Sequence, residues 1–521
     1  MQVRNILLLT SKVLGKAIVG LLAVLLVVVL IIHIPAVQRG LTSSVSGYLS
    51  SRIQSKVEIE SIRFSLLGRV SIKGLKVWDP EAADIFSSGD VEVSTSIFKL
   101  IRGRLIFDEI RISGVSGNLV QNEKGLNIQF IIDAFTGPPS DITRTSTAST
   151  NLQFKKVILE DITFAFTSAN NRTSVSTKVG KFNGQNIEVS INPNKISASQ
   201  LQLENSTTRV SYRVSTDTSA TTITTEESSM FDTDFGSGFD FDIRNIQLVK
   251  NDLFIHRDSV MTSQRFDPNH LELENISLSV SDIKVDSISL AAALHSLSVQ
   301  LPGFTLSDAN AEIQMNPDAI SLSDLHLSSN SNDINGDFMA GYQDFSGKRD
   351  ALIKVDVLCH VDPHVLSYFL NDSIMTYFDG WASSELKFKS DYSRGKGEVK
   401  MLSLKTASSL LEGRGTFNNI LERDKISWKD AALNVVIGSE FRHTLDPFIN
   451  GVTLPPDATV KLTSSGDTKK VFVDGNIVTT WGEVKTAGYI THVLENAGIN
   501  VTVEGHGVDV GKWMSLPWIG P

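Results

Sequence analysis

One short segment carries the residue types of a metal site. Cys359, His360, Asp362 and His364 lie close together, and thiolate, imidazole and carboxylate are donors that zinc accepts. On a strand, His360, Asp362 and His364 would share one face. Pro363 favours another geometry. An aspartate N-cap followed by proline at N1 opens a short helix, with Leu366, Phe369 and Leu370 behind it and the histidines in solvent. No metal ligand is assigned on this reading.

Other chemistry-bearing patterns are weaker. Gly413-Arg414-Gly415 lacks the third glycine and the following helix of a dinucleotide loop, so it reads as a turn or as tight packing between strands. The chain contains no phosphate-binding loop of the Walker type, no nucleophile elbow and no H-E-x-x-H pair. Carboxylate pairs such as Asp108 and Glu109 fit a polar outer face. No acid-base pair can be nominated, so neither catalytic residues nor a cofactor are expected.

The composition narrows the classes. The chain has 521 residues, 41% hydrophobic and 20% charged, with a formal net charge of −10. That is enough apolar content to fold. The negative balance, with no basic stripe, argues against a nucleic-acid partner. A single cysteine, Cys359, rules out an intrachain disulfide framework.

The elements that would position any site begin with a membrane segment. Residues 17–34 form an apolar run interrupted only by His33. At ~1.5 Å per residue it covers ~27 Å, close to the hydrocarbon thickness of a bilayer. Arg4, Lys12 and Lys16 precede it without any acidic residue. The bias predicts a cytoplasmic N-terminus (1–16) and an exported body. The run is longer than a signal-peptide core, which favours an uncleaved anchor over a cleaved leader. Val37, Leu41, Val45, Leu49 and Ile53 then follow at helical spacing, predicting an amphipathic exit helix over 35–55.

From Val57 the period changes to two. Val57 and Ile59, Ile62 and Phe64, Val70 and Ile72, then Leu75 and Val77 after Gly74 alternate with polar residues. The pattern returns at Val91 and Val93, Ile110 and Ile112, Val157 and Leu159, Leu201 and Leu203, Leu402 and Leu404, and Val471 and Val473. This is the mark of half-buried antiparallel strands. Residues 136–150 read as a linker, and the Ser/Thr/Asp-rich stretch 215–238 as a loop. Periodicity alone leaves barrel, sandwich and one-sided sheet open.

Residues 56–135 carry a resemblance that discriminates among these. In order, they hold a charged-alternating strand (Val57–Ile62), the segment VSIKGLKVWDP (Val70–Pro80), IFKLIRGRL (Ile97–Leu105) and LNIQFIIDAF (Leu126–Phe135). In this order and spacing the module resembles the N-terminal region of the AsmA-like superfamily, nearest to TamB-type translocation and assembly proteins of Bacteroidetes-like bacteria. The match covers about the first quarter of the chain.

The resemblance implies a mainly β fold: a transmembrane helix followed by an elongated, repetitive antiparallel β-groove, taco-like, with a few short helices. It implies an AsmA-like module at 56–135 and a repetitive groove body over 151–521. It also implies an inner-membrane protein whose periplasmic body carries phospholipid toward the outer membrane. The alternative is an outer-membrane protein assembly factor or envelope scaffold working through protein contacts. An outer-membrane barrel of the BamA/TamA type is a possible partner on either reading. Candidate groove residues in the first half are Phe64, Val93, Phe107, Phe164 and Leu203. In the second half they are Leu278, Leu322, Val357, Leu404 and Val473. The apolar chain end (Trp513, Met514, Leu516, Trp518, Ile519) and the usual length of TamB-type proteins lead to the expectation that the native chain continues past residue 521.

Overall fold

The alternating segments fold as strands in the computed structural model. It describes residues 35–65, 69–81, 83–95, 106–122, 125–136, 150–168, 173–191, 194–212, 240–257, 265–267, 269–316, 319–330, 332–341, 352–378, 380–393, 395–420, 424–445, 454–455, 457–494 and 497–513. The fold is mainly β. The expected membrane segment 17–34, the 215–238 loop and all but the ends of the 136–150 linker lie outside the described residues. Among the described residues no helix is long and apolar enough to cross a membrane. The chain divides into two compact units, Met1–Asp217 with Ile243–Val260, and Thr218–Asp242 with Met261–Pro521.

The first unit opens with helix α1 (Pro35–Ile53), followed by β1 (Val57–Glu58), β2 (Ser61–Phe64), β3 (Arg69–Trp78), β4 (Asp84–Thr95), β5 (Ile106–Asn122) and β6 (Gly125–Leu126). Helix α2 (Gln129–Thr136) precedes β7 (Thr150–Ser168) and β8 (Thr173–Ile191). Three short strands, β9 (Lys195–Ala198), β10 (Gln200–Glu204) and β11 (Thr207–Tyr212), all pair with β8 and act as one interrupted strand. Strand β12 (Asp240–Arg257) completes the unit.

Most joints are antiparallel, as the alternation predicts. Among the described residues β5 pairs parallel with β7, and β12 with β10 and β11. Alternation reports which face a side chain takes, not strand direction, so the sequence pattern could not reveal these joints.

Helix α1 occupies the expected place but docks through an unexpected stripe. Thr42, Ser46 and Ser50 recur every four residues and meet the side of β1 and β2 that is turned away from β3. Ser46 Oγ donates to the Val57 carbonyl at 2.6 Å. Val57 N–H donates to Ser50 Oγ at 3.0 Å, and Ile62 N–H to Thr42 Oγ1 at 3.0 Å. A strand edge presents unpaired backbone groups. Hydroxyls satisfy them where an apolar stripe could not, and Ile53 adds apolar burial at the end of the helix.

The second unit is a meander. Its strands are β13 (His270–Val285), β14 (Leu290–Leu301), β15 (Phe304–Leu306), β16 (Asp308–Met315), β17 (Ala319–Ser329), β18 (Asn332–Gly341) and β19 (Leu352–Val361). They continue as β20 (Ser384–Ser393), β21 (Lys396–Lys405), β22 (Leu410–Asn418), β23 (Ser427–Ile437), β24 (Ala458–Asp467), β25 (Lys470–Thr479), β26 (Gly482–Thr491) and β27 (Gly498–His506). Strands β15 and β16 both pair with β14 and share one strand position; otherwise each strand pairs antiparallel with the next.

Helical turns interrupt the meander. A 3-10 helix (Pro363–Tyr368), α3 (Asp372–Met375) and a second 3-10 turn (Thr376–Phe378) lie between β19 and β20. Helix α4 (Ser439–Leu445) lies between β23 and β24, and α5 (Val510–Trp513) follows β27. Strands β19 and β23 run in the same direction, so the first two insertions leave the same end of the sheet. There Trp381, Ile437, Phe441 and Ala458 form a buried cluster, with Phe378, Leu404, Leu411, Val435, Leu445, Leu454 and Val460 packed against it.

Candidate functional site

Residues directly opposite each other on neighbouring strands share a face, so the pairing register traces each face strand by strand. In the first unit, one row runs Phe64, Val70, Val93, Ile110, Val157, Gly184, Leu201, Ile246, from β2 to β12. The row beside it runs Ile62, Ile72, Val91, Ile112, Leu159, Phe182, Leu203, Leu248. Neither row contains a polar side chain.

The opposite face is its electrostatic inverse. Lys73, Asp90, Ser113, Glu160, Lys181 and Glu204 stand in one line. Lys73 pairs with Asp90 at 3.5 Å and Arg111 with Glu160 at 3.4 Å.

A line of backbone kinks crosses this sheet. Gly74, Gly114, Asp161, Asn205 and Lys250 all have positive φ, between 50° and 63°. Gly114 (φ +63) needs no Cβ there. A Cβ on the intervening Gly180 would lie 2.5 Å from the Asn205 carbonyl oxygen. Each strand gains one residue at the same level, so register survives while apolar spacing lengthens from two to three. Ile112 and Val115 therefore stand opposite Leu159 and Ile162, which stand opposite Phe182 and Val179. The extra residue keeps the apolar residues beyond the line on the same face.

The second unit repeats the pattern. One row runs Leu327, Ile334, Cys359, Leu386, Leu404, Leu411, Val435, Val460, Ile477, Val484, from β17 to β26. The next runs Leu325, Gly336, Val357, Phe388, Leu402, Gly413, Leu433, Leu462, Gly475. On the other face, Lys387 pairs with Glu385 at 2.8 Å, and Lys389 with Asp356 and Lys400 with Asp391 are ion-paired. Lys400 donates to Asp391 and holds its carboxyl below the usual range.

Most row residues are half-buried rather than buried. Leu433 is 38% exposed and Phe164, beyond the line of kinks, 37%, so these side chains keep open apolar surface. The exception is the segment Leu404, Leu411, Val435 and Val460, which the Trp381–Phe441 cluster covers.

The candidates divide between the units. Phe64 and Val93 lie in one row and Leu203 in the row beside it. Phe107 stacks on Phe154, directly opposite it on β7, with ring centroids 5.2 Å apart, next to a bulge at Asp108 in the β4–β5 pairing. The consecutive carboxylates of Asp108 and Glu109 pair with Lys155 and Lys156 at 2.6 and 3.9 Å. Phe164 stands opposite Gly117 and Thr177. In the second unit, Leu278 faces Leu297 and Leu322 faces Phe338. Val357 and Leu404 belong to neighbouring rows, and Val473 stands opposite Ser464 and Gly488.

The residues around Cys359 take separate roles. Cys359 is a row residue whose thiol burial pushes up. His360 turns to the other face and meets Glu385 at 3.2 Å. Asp362 caps the 3-10 helix, accepting from His364 N–H, with Pro363 at its start. No group of metal-ligating side chains occurs among the described residues. Gly413 and Gly415 sit within β22, where a Cβ would meet Leu433 Cδ2 at 2.9 Å and Ala431 Cα at 3.0 Å; they serve close packing between strands.

Sequence reading did not nominate Ile246 and Leu248, although their i, i+2 spacing was visible. It also missed the cover formed by Trp381 and Phe441, which no local pattern signals. Compared with family models, curated proteins and solved structures, the chain matches none.

Proposed function

We propose that the apolar face holds phospholipid acyl chains along a groove, and that the protein is an inner-membrane-anchored periplasmic carrier moving lipid toward the outer membrane. The carrying observation is the division of the sheet in each unit: uninterrupted uncharged rows on one face, ion-paired ladders on the other. An acyl chain needs apolar surface without fixed polar partners, and burial contributes about 0.8 kcal/mol per CH₂. Such a face left open would otherwise be a hazard for aggregation. The apolar run 17–34 and the resemblance of residues 56–135 supply the membrane and envelope parts of the reading.

Leu203→Asp with Val357→Asp places one charge on the floor of each unit, and Gln202→Asp is the matched control on the other face. The floor variant should lose most phospholipid co-purifying with the protein, while the control retains it and both keep their β-sheet circular dichroism. Equal lipid content in a folded floor variant would contradict the proposal.

A further inference from the structure

The first unit contains a cleft that the acyl-chain reading leaves without a role. It lies between α1 and β1–β3 and has a volume of about 780 Å³. Unlike the apolar face, it is polar and carries both signs of charge: Arg39 and Lys76 against Glu58 and Glu60. Glu58 is engaged by Lys56 at 2.7 Å, although it stands opposite Lys76 in register. Among the described residues, neither the Glu60 carboxylate nor the Lys76 ammonium has a hydrogen-bond or ion-pair partner. Glu60 folds over Gly74, where a Cβ would meet its Oε2 at 2.9 Å. On the helix wall, a Cβ at Gly47 would find no atom within 4 Å.

An anion and a cation that share a cleft without neutralising each other complement a ligand that carries both charges. We propose that this cleft binds a zwitterionic phosphodiester with a primary ammonium, the chemistry of a phosphoethanolamine headgroup. The ammonium donates to Glu60, and the phosphate accepts from Lys76 and the Ser43 hydroxyl. An anionic headgroup leaves Glu60 unmatched, and a quaternary ammonium has no N–H to donate to it. Helix α1 starts directly after the apolar run 17–34, so a membrane-inserted run would bring the cleft near headgroup depth. This names the lipid class for the carrier reading and rests on that reading for its biological setting, though not for binding itself.

The test titrates the full chain in detergent with short-chain phosphatidylethanolamine, phosphatidylcholine and phosphatidylglycerol, and with glycerophosphoethanolamine, which has no acyl chains. Phosphatidylethanolamine should bind about tenfold more tightly than the other two lipids, the scale of one charge-assisted hydrogen bond. Glu60→Gln should abolish that preference, whereas Lys76→Gln should weaken all three lipids alike, since each carries the phosphate. Both side chains are exposed, so thermal unfolding should not change. Glycerophosphoethanolamine binding with the same dependence on Glu60 and Lys76 supports the headgroup chemistry and assigns it to a source without acyl chains. Equal affinity for the three lipids, a preference that survives Glu60→Gln, or binding unchanged by Lys76→Gln overturns the proposal. The acyl-chain reading fails separately, if floor substitutions leave co-purified lipid unchanged whatever the headgroup preference.

Discussion

Trp381 donates its indole N–H to Thr444 Oγ1 at 3.1 Å, although 63 residues separate them. Thr444 in turn donates to the Tyr377 carbonyl at 2.7 Å, and the Trp381 ring lies 5.4 Å from that of Phe441. The two insertions of the second unit are thus one packed body resting on Leu404, Leu411, Val435 and Val460. Trp381→Ala should cost about 3–5 kcal/mol in urea unfolding. Trp381→Phe keeps most of the packing and should cost nearer ~1–2 kcal/mol for the lost hydrogen bond and smaller ring. Equal losses would show that the hydrogen bond, not ring packing, holds the cover.

Glu440 anchors the same cover to the β21–β22 hairpin. Its carboxylate accepts from Ser409 at 2.9 Å and from Ser408. Burial by itself would raise its pKa, but the bonds it accepts, chiefly from Ser408 and its own backbone and then from Ser409 and Thr406, outweigh burial and lower it. A lowered folded-state pKa contributes stability above the unfolded value of ~4.3, lost as pH falls through the folded value. Glu440→Gln should therefore lower Tm at pH 7, and the gap from the native chain should narrow as pH falls through the lowered folded value. A gap independent of pH would assign the effect to shape rather than charge.

The line of positive-φ residues makes a conformational prediction. Gly114 (φ +63) and Asp161 (φ +55) are neighbours on it. A β-branched residue at positive φ is strained by about 1–3 kcal/mol, whereas glycine is not. Gly114→Val should destabilise the chain by that amount, while Asp161→Gly should cost under ~1 kcal/mol, as read by denaturant midpoint. Similar costs at both positions would mean that the shared backbone geometry does not set the register.

Much of this was legible in the sequence because a sheet face follows from parity. The alternation at Val70 and Ile72, or at Leu201 and Leu203, places these residues on one face wherever their strands pair. The break at Gly74 was visible too, as Leu75 and Val77 resuming out of phase. Its alignment with Gly114, Asp161 and Asn205 was not, since that depends on pairing between distant segments. The parallel β5–β7 joint was hidden for the same reason. The Trp381–Phe441 cover joins loops far apart in sequence, and the cleft of Glu60 and Lys76 forms only where a helix and three strands come together. Asp362-Pro363 was readable because a helix cap is a local device.

The most direct test of the central claim places a photo-crosslinking amino acid at successive positions of one strand in each unit, in cells. On β10 the positions are Leu201, Gln202, Leu203 and Glu204; on β20 they are Lys387, Phe388 and Lys389. If acyl chains occupy the apolar face, lipid adducts should form at Leu201, Leu203 and Phe388 and be absent at Gln202, Glu204, Lys387 and Lys389. Adducts without this alternation, or none at the apolar positions in a folded protein, would contradict the account.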